Sequence, residues 1–472
     1  MIARIPALAV ALVLVLAFGL AACSPSTPSP AGTVAPPSES DAVVDAATIG
    51  RQFVESLASG DTAAAEALED QTMRAAAPAE ALGQLWGQIE GQFGPFERIA
   101  GVETAEQAPF VVATVSTEFA DATVPLLVTV DGQGRVAGFH LGQPEPGASP
   151  AGSPASAEAV PDYVDAEAFT EREVTVGESP WELPGTLSMP VGDGPFPAVV
   201  LVAGSGPNDR DETIGPNKPL REIAWGLASN GIAVVRYDKR GKVHAPAMAA
   251  DAASVTVAEE VVDDAVAAVE LLHDTPGVDP ERVFVVGHSL GGYLAPRIAS
   301  EATGQVAGIG ILAGSTSPIQ DLIVQQYEYL ASPDGGADPQ AAAALGQIRE
   351  QVGRVNSADL TPSTPATDLP LGIPAAYWLD LRGYDPAATA AALAIPVLIA
   401  QGGRDYQVPP SELDGWREAL VGRDDVAIHE YPAINHLLME GSGPSRPAEY
   451  AVPGHVAGDL VRDLAAWVVS AS

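Results

Sequence analysis

The stretch Val283-Phe284-Val285-Val286-Gly287-His288-Ser289-Leu290-Gly291-Gly292 sets the fold expected of this 472-residue chain. Four apolar residues in a row, three of them β-branched, predict a short strand buried on both faces. Residues 290–301 then have the spacing of a helix. Between the two, Gly287-His288-Ser289-Leu290-Gly291 fits G-x-S-x-G, a tight strand-to-helix turn that presents a serine hydroxyl. Glycine at 287, 291 and 292 suits such a turn, where neighbouring main chains come too close for side chains. Ser289 is therefore the candidate nucleophile.

A serine hydroxyl is a weak nucleophile near neutral pH and needs a base that is itself held by a third group. Strand-like residues 397–401 lead into Gly402-Gly403-Arg404-Asp405-Tyr406-Gln407-Val408, and strand-like residues 427–431 lead into Ala433-Ile434-Asn435-His436. A carboxylate and an imidazole at strand ends, in the order Ser, Asp, His, make Asp405 and His436 the expected acid and base. His429, inside a strand, and His455, near the last helix, read as structural, and Arg404 as a surface or orienting residue. A tetrahedral oxyanion also needs N–H donors. These are expected from the backbone of Leu290 and of Ser205, in Gly204-Ser205-Gly206-Pro207 after strand-like residues 198–203. Ser205 is no rival nucleophile, because its loop leads into more loop.

Short apolar runs at 198–203, 233–237, 283–286, 308–313 and 397–401 alternate with helical stretches at 220–228, 257–273, 290–301 and 413–420. Such alternation predicts a mostly parallel sheet with helices on both faces. Runs at 172–176 and 185–189 form a leading antiparallel pair. Residues 317–390, which carry helix-like pieces between two strands, read as a cap insertion.

Four longer segments carry a resemblance: Ala203-Gly204-Ser205-Gly206-Pro207-Asn208-Asp209-Arg210-Asp211-Glu212, Gly215-Pro216-Asn217-Lys218-Pro219, Arg236-Tyr237-Asp238-Lys239-Arg240 and 401–408. Together they resemble the signature of bacterial α/β-hydrolase carboxylesterases of the dienelactone-hydrolase-like branch, over residues 165–470. The resemblance implies the α/β-hydrolase fold, hydrolysis of small acyl esters and no cofactor. The chain departs from that family in having Ala203-Gly204 where its members have His-Gly. With Ser289 in place of the cysteine of true dienelactone hydrolases, that substrate is disfavoured. Residues 209–212 read as a hydrogen-bonded loop rather than a metal site. Neither a P-loop, a dinucleotide fingerprint nor a Cys/His metal spacing appears, so no metal is expected.

Residues 42–142 read as a separate α+β module, with helices at 46–57, 62–73 and 78–93 and strands at 110–119, 123–131 and 135–141. The order resembles cystatin-like or NTF2-like modules. It offers no nucleophile–base pair, and His140, its one histidine, reads as an ordinary partly buried residue. Pro- and Ala-rich residues 143–161 form a linker to the catalytic domain at 162–472. At the start, Arg4 and an apolar run precede Leu20-Ala21-Ala22-Cys23, which resembles a bacterial lipobox. That likeness implies a signal peptide over 1–22, lipidation of Cys23, the only cysteine, and a tether over 23–41. The protein is then expected to be exported and membrane-anchored, facing the extracellular or periplasmic side.

With 23 Lys+Arg against 61 Asp+Glu, the net charge of −38 disfavours nucleic acid as a partner and would itself repel an anionic membrane. Two other functions fit the same residues. One is a serine peptidase or acyl thioesterase, since a single triad serves all acyl transfer. The other is a catalytically inactive envelope-binding lipoprotein, against which three intact triad residues argue.

Overall fold

The structure, a computed structural model, describes residues 46–471 apart from 71–72, 75–76, 108–109, 121, 142–144, 147–159 and 251. The expected signal peptide, the tether, Cys23 and most of the linker lie outside the described residues. Those up to 146 form one compact unit and those from 160 onward a second.

The first unit has helices Ala46–Ala58, Thr62–Ala67 and Ala79–Phe93, then strands β1 (Phe96–Gln107), β2 (Phe110–Phe119), β3 (Ala122–Val130) and β4 (Val136–Leu141). The strands form an antiparallel meander in sequence order, and β5 (Glu145–Pro146) pairs with β3. Phe53, Val54 and Leu57 of the first helix and Leu82, Trp86 and Ile89 of the third pack on Ala113, Val115, Leu126 and Val128. These sheet residues alternate along their strands, as a half-buried sheet requires. Two expectations need correction. β1 was not anticipated, because Phe96-Glu97-Arg98-Ile99-Ala100-Gly101 mixes polar with apolar residues and its pairing is broken by two register shifts. The second helix ends at Ala67 rather than near 73, because Leu68 caps it and Glu69 bridges to Val136.

The second unit is built on an eight-stranded sheet. Its strands are β6 (Phe169–Val176), β7 (Leu183–Pro190), β8 (Phe196–Val202), β9 (Ala233–Tyr237), β10 (Val278–His288), β11 (Gly308–Leu312), β12 (Val397–Gly402) and β13 (Val426–Tyr431). Their order is β13-β12-β11-β10-β8-β9-β7-β6. From β13 to β9 all pairs are parallel, while β7 and β6 join antiparallel. Helices Pro219–Ser229 and Gly458–Ser470 cover one face through Ile223, Leu227, Leu460 and Leu464. Helices Asp263–His273 and Leu290–Glu301 cover the other through Val269, Leu272, Leu294 and Ile298. This is the α/β-hydrolase fold. Helices Ile319–Ala331, Pro339–Asn356, Ala375–Leu381 and Pro386–Ala392 occupy the insertion between β11 and β12. The helix expected over 257–273 opens instead with a π-helical turn, Ala258–Val262, a wider winding often found near functional sites.

Candidate active site

β10 lies in the middle of the sheet, between β8 and β11, and delivers Ser289 at its C-terminal edge. Ser289 has φ 53° and ψ −115°, a region that residues with a side chain normally avoid. The turn is locked because a Cβ on Gly287 would overlap the backbone of Gly291, and one on Gly291 would overlap the carbonyl of Val202. The glycines thus press the elbow against the end of β8, from which the Gly204 loop departs.

Three parallel strands bring the expected acid, base and nucleophile together. His436 Nε2 lies 3.1 Å from Ser289 Oγ, and His436 Nδ1 lies 2.7 Å from Asp405 Oδ2. Asp405 Oδ1 accepts the backbone N–H groups of Gln407 (2.8 Å) and Val408 (2.9 Å), so the whole carboxylate is buried and satisfied. That arrangement fixes His436 with its proton on Nδ1 and the Nε2 lone pair toward the serine. The other two histidines that follow Asp405 sit elsewhere: His429 faces Asp463, and His455 donates to Glu222. His140 lies in β4, paired with Leu127.

Of the two roles expected of Arg404, surface or orienting, the structure fits the orienting one. Its guanidinium is buried and donates to the carbonyls of Ser442 and Gly443 and to Glu449, bracing the loop that follows His436. Asn435 Nδ2 reaches the same Glu449 (3.2 Å). Tyr329 of the insertion stacks on Tyr406, next to the acid, and Tyr406 on Tyr450 (5.0 and 6.4 Å between rings).

Sequence reasoning missed the residues that hold the Gly204 loop. Glu212, wholly buried, accepts the Gly204 N–H on Oε1 at 2.6 Å and faces His288 Nδ1 with Oε2 at 2.8 Å. His288 Nε2 in turn lies 2.8 Å from the carbonyl oxygen of His436. One buried chain of contacts therefore joins the loop after β8, the residue beside the nucleophile and the main chain of the base. Both ring nitrogens of His288 face acceptors, so both must donate, which makes the ring an imidazolium opposite a carboxylate. Burial pulls the His288 pKa down, but the charge and hydrogen bond of Glu212 outweigh it and hold it above the ordinary value.

The signature segments turn out to be partners of one another. Arg210 pairs with Asp238, Asp211 with Arg236, and Lys239 reaches the carbonyl of Gly204. Asp209 accepts the backbone N–H groups of Asp211 and Thr213. All four polar side chains of 209–212 are thereby used within the protein, as a hydrogen-bonded loop should use them. Ala203 is buried in the core against its neighbours, so the chain carries the loop without an imidazole there. A Cβ on Gly204 would meet Ser289 Cβ at 3.1 Å, which places this loop directly against the elbow.

Comparison with known proteins adds an independent line. The model of a family described as serine aminopeptidase, S33, matches residues 218–333, and that of a protein family of unknown function, DUF3887, matches residues 50–139. The chain is 37% identical to Esterase EstD of Thermotoga maritima over 417 residues, covering 88% of this chain and 94% of that one. Among solved structures, the 2,6-dihydroxy-pseudo-oxynicotine hydrolase matches at 17% identity and a TM-score of 0.40, over 64% of this chain and 67% of that one. An esterase of Pyrobaculum calidifontis matches at 17% and 0.40, over 64% and 87%. A puromycin-hydrolyzing peptidase of Mycobacterium tuberculosis matches at 18% and 0.42, over 80% and 48%.

Proposed function

The chain belongs to the α/β-hydrolase family that contains Esterase EstD of Thermotoga maritima, and from that premise we propose that it hydrolyses small carboxylic esters through an acyl-enzyme on Ser289. The observation that carries this reading is the continuous Asp405–His436–Ser289 hydrogen-bond line.

In the proposed reaction His436 Nε2 takes the Ser289 proton as Oγ attacks the ester carbon. The tetrahedral oxyanion is received by the N–H groups of Ser205 and Leu290. Leu290 opens a helix, so its N–H has no partner within that helix. Collapse of the intermediate expels the alcohol, which leaves with the proton from His436. A water then repeats the sequence, activated by His436, and releases the acid. Asp405 remains ionised throughout and stabilises the imidazolium that forms twice per turnover. Nothing in this cycle calls for a cofactor.

A peptidase reading has one specific support, the serine aminopeptidase match over 218–333. That span contains Ser289 but neither Asp405 nor His436, whereas the esterase relative matches along 88% of the chain. The test is a fluorophosphonate label followed by a hydrolysis panel of short- and long-chain esters, thioesters and aminoacyl amides. Labelling at Ser289 with ester turnover leading is the expected result. Absence of label, or amide turnover exceeding ester turnover, would overturn it.

We likewise propose that Cys23 carries a lipid anchor, on the strength of Leu20-Ala21-Ala22-Cys23. Wild type should fractionate with membranes and Cys23→Ser should not; equal recovery of both in the soluble fraction would remove the anchor from the account.

A further inference from the structure

We propose that Lys239 is a positioning residue for the oxyanion site: its ammonium, bonded to the carbonyl oxygen of Gly204, aims and strengthens the Ser205 N–H. The inference rests on the proposed esterase reading, in which that N–H is a donor to the tetrahedral intermediate.

The side chain of Lys239 is only 4% exposed, and its Nζ sits 3.0 Å from Gly204 O and 2.9 Å from Glu260 Oε1. Taking an ammonium out of water is costly unless its protons are used well. Here one of its bonds goes to the uncharged, buried carbonyl of Gly204, at the root of the loop that carries the Ser205 N–H. The geometry supplies a reason. The Gly204–Ser205 peptide is not among the cis bonds of the chain, and in a planar trans peptide the C=O and the following N–H point in opposite directions. Whatever fixes the Gly204 carbonyl therefore fixes the Ser205 N–H.

Two donors do so, Lys239 Nζ and Asn208 Nδ2, the latter at 3.1 Å. The preceding peptide is held from its other end, with the Gly204 N–H on Glu212. Gly204 is thus clamped between a cation on its carbonyl and an anion on its amide. A cation on the carbonyl oxygen also polarises the amide, making the Ser205 N–H a better donor, the cooperativity expected of hydrogen bonds in series. The side chain of Ala203 supplies no donor to this loop.

The clamp extends into the insertion. Glu260, on the π-helical turn, also accepts the Tyr377 hydroxyl at 2.9 Å from helix Ala375–Leu381. A line of three side chains, Tyr377, Glu260 and Lys239, consequently joins the insertion to the oxyanion loop.

The experiment compares full-length wild type with Lys239→Met and Lys239→Arg, using ester turnover and inhibition by a trifluoromethyl ketone. The ketone captures the Ser289 oxygen on its carbonyl carbon, with the proton passing to His436, and so presents a stable oxyanion. Removing a whole donor costs roughly a hundred- to a thousand-fold; a donor left in place but unaimed should cost less. Lys239→Met should lower kcat by about ten- to a hundredfold with KM changed less than about threefold, weaken the ketone in proportion, and leave melting cooperative. Lys239→Arg should recover part of both losses. A folded Lys239→Met with kcat within threefold of wild type, or with kcat lost and ketone affinity unchanged, overturns the proposal. Should Lys239→Met fail to fold, Lys239→Gln, which keeps a donor without the charge, is held to the same two readouts. Fluorophosphonate labelling of wild-type Ser289 tests the esterase reading separately, so a labelled protein with an unimpaired Lys239→Met sinks the positioning role alone.

Discussion

His288 Nε2 donates to the backbone carbonyl oxygen of His436 across 2.8 Å, so the residue beside the nucleophile holds the main chain of the base. Because Glu212 faces the other ring nitrogen, folding favours the protonated ring of His288, whose pKa burial pulls down but Glu212 holds above the ordinary histidine value. A group whose pKa rises on folding contributes fully below its unfolded value, about 6.5, and loses that contribution as pH climbs through the folded value. His288→Gln should therefore cost more stability at pH 5.5 than at pH 9. At the acid end the loss should approach the roughly 3–5 kcal/mol typical of stripping one partner from a buried pair. Glu212→Gln keeps an acceptor for Gly204 but turns an amide N–H toward His288 Nδ1, which suits the neutral ring, and should flatten the pH dependence. Denaturant melts of the three proteins across pH decide it; a loss that grew toward alkaline pH would contradict the assignment.

Ser289→Ala and His436→Ala should each reduce kcat on the order of a million-fold, while Asp405→Asn retains ten- to a hundredfold more activity than either. All three should melt cooperatively. His455→Ala and His429→Ala should stay within a few-fold of wild type, since their partners are Glu222 and Asp463. Loss of turnover in either of those two would displace His436 as the base.

Gly291→Ala asks for a methyl group where the carbonyl of Val202 already stands. The helix Leu290–Glu301 cannot move off the end of β8 without unseating the elbow, so the substitution should destabilise by about 2–3 kcal/mol. A chemical melt showing less than about 1 kcal/mol would mean that the elbow yields more easily than its packing implies.

A chain beginning near Asp162 retains every strand of the eight-stranded sheet and every residue of the proposed cycle. It should fold by itself and keep kcat on small soluble esters within about threefold of the full chain. A collapse of kcat with the fold intact would assign the first unit a part in turnover.

Ser289, Asp405 and His436 were legible because each carries a local signal, a residue type placed just past a strand and in a fixed chain order. The parallel strands were legible for the same reason, as short apolar runs such as 283–286. Glu212 and His288 lie 76 residues apart, and Lys239 and Gly204 lie 35 apart. Pairing at such separations leaves no trace in periodicity, even though Gly204, Glu212 and Lys239 stand inside segments that resemble a family signature and His288 stands inside the G-x-S-x-G turn. β1 was hidden for another reason. Its side chains are mostly exposed or half-buried, so no apolar alternation announced it. The π-helical turn is invisible in principle, because one extra residue in a helical turn scarcely alters an amphipathic pattern over so short a span.

The elbow grows out of β10, flanked by β8 and β11 in the interior of the sheet, and that position governs how the enzyme fails. Amide protons along 283–288 can exchange with solvent only when the sheet itself opens, so they should be among the slowest of the second unit. Partial opening of the edge at β6 leaves nucleophile, acid and base seated, whereas opening at β13 loosens the chain that carries His436 and leaves only the serine in place. Heat inactivation that precedes global unfolding should accordingly begin at the β13 edge, with the amides of 426–431 exchanging before those of 283–288.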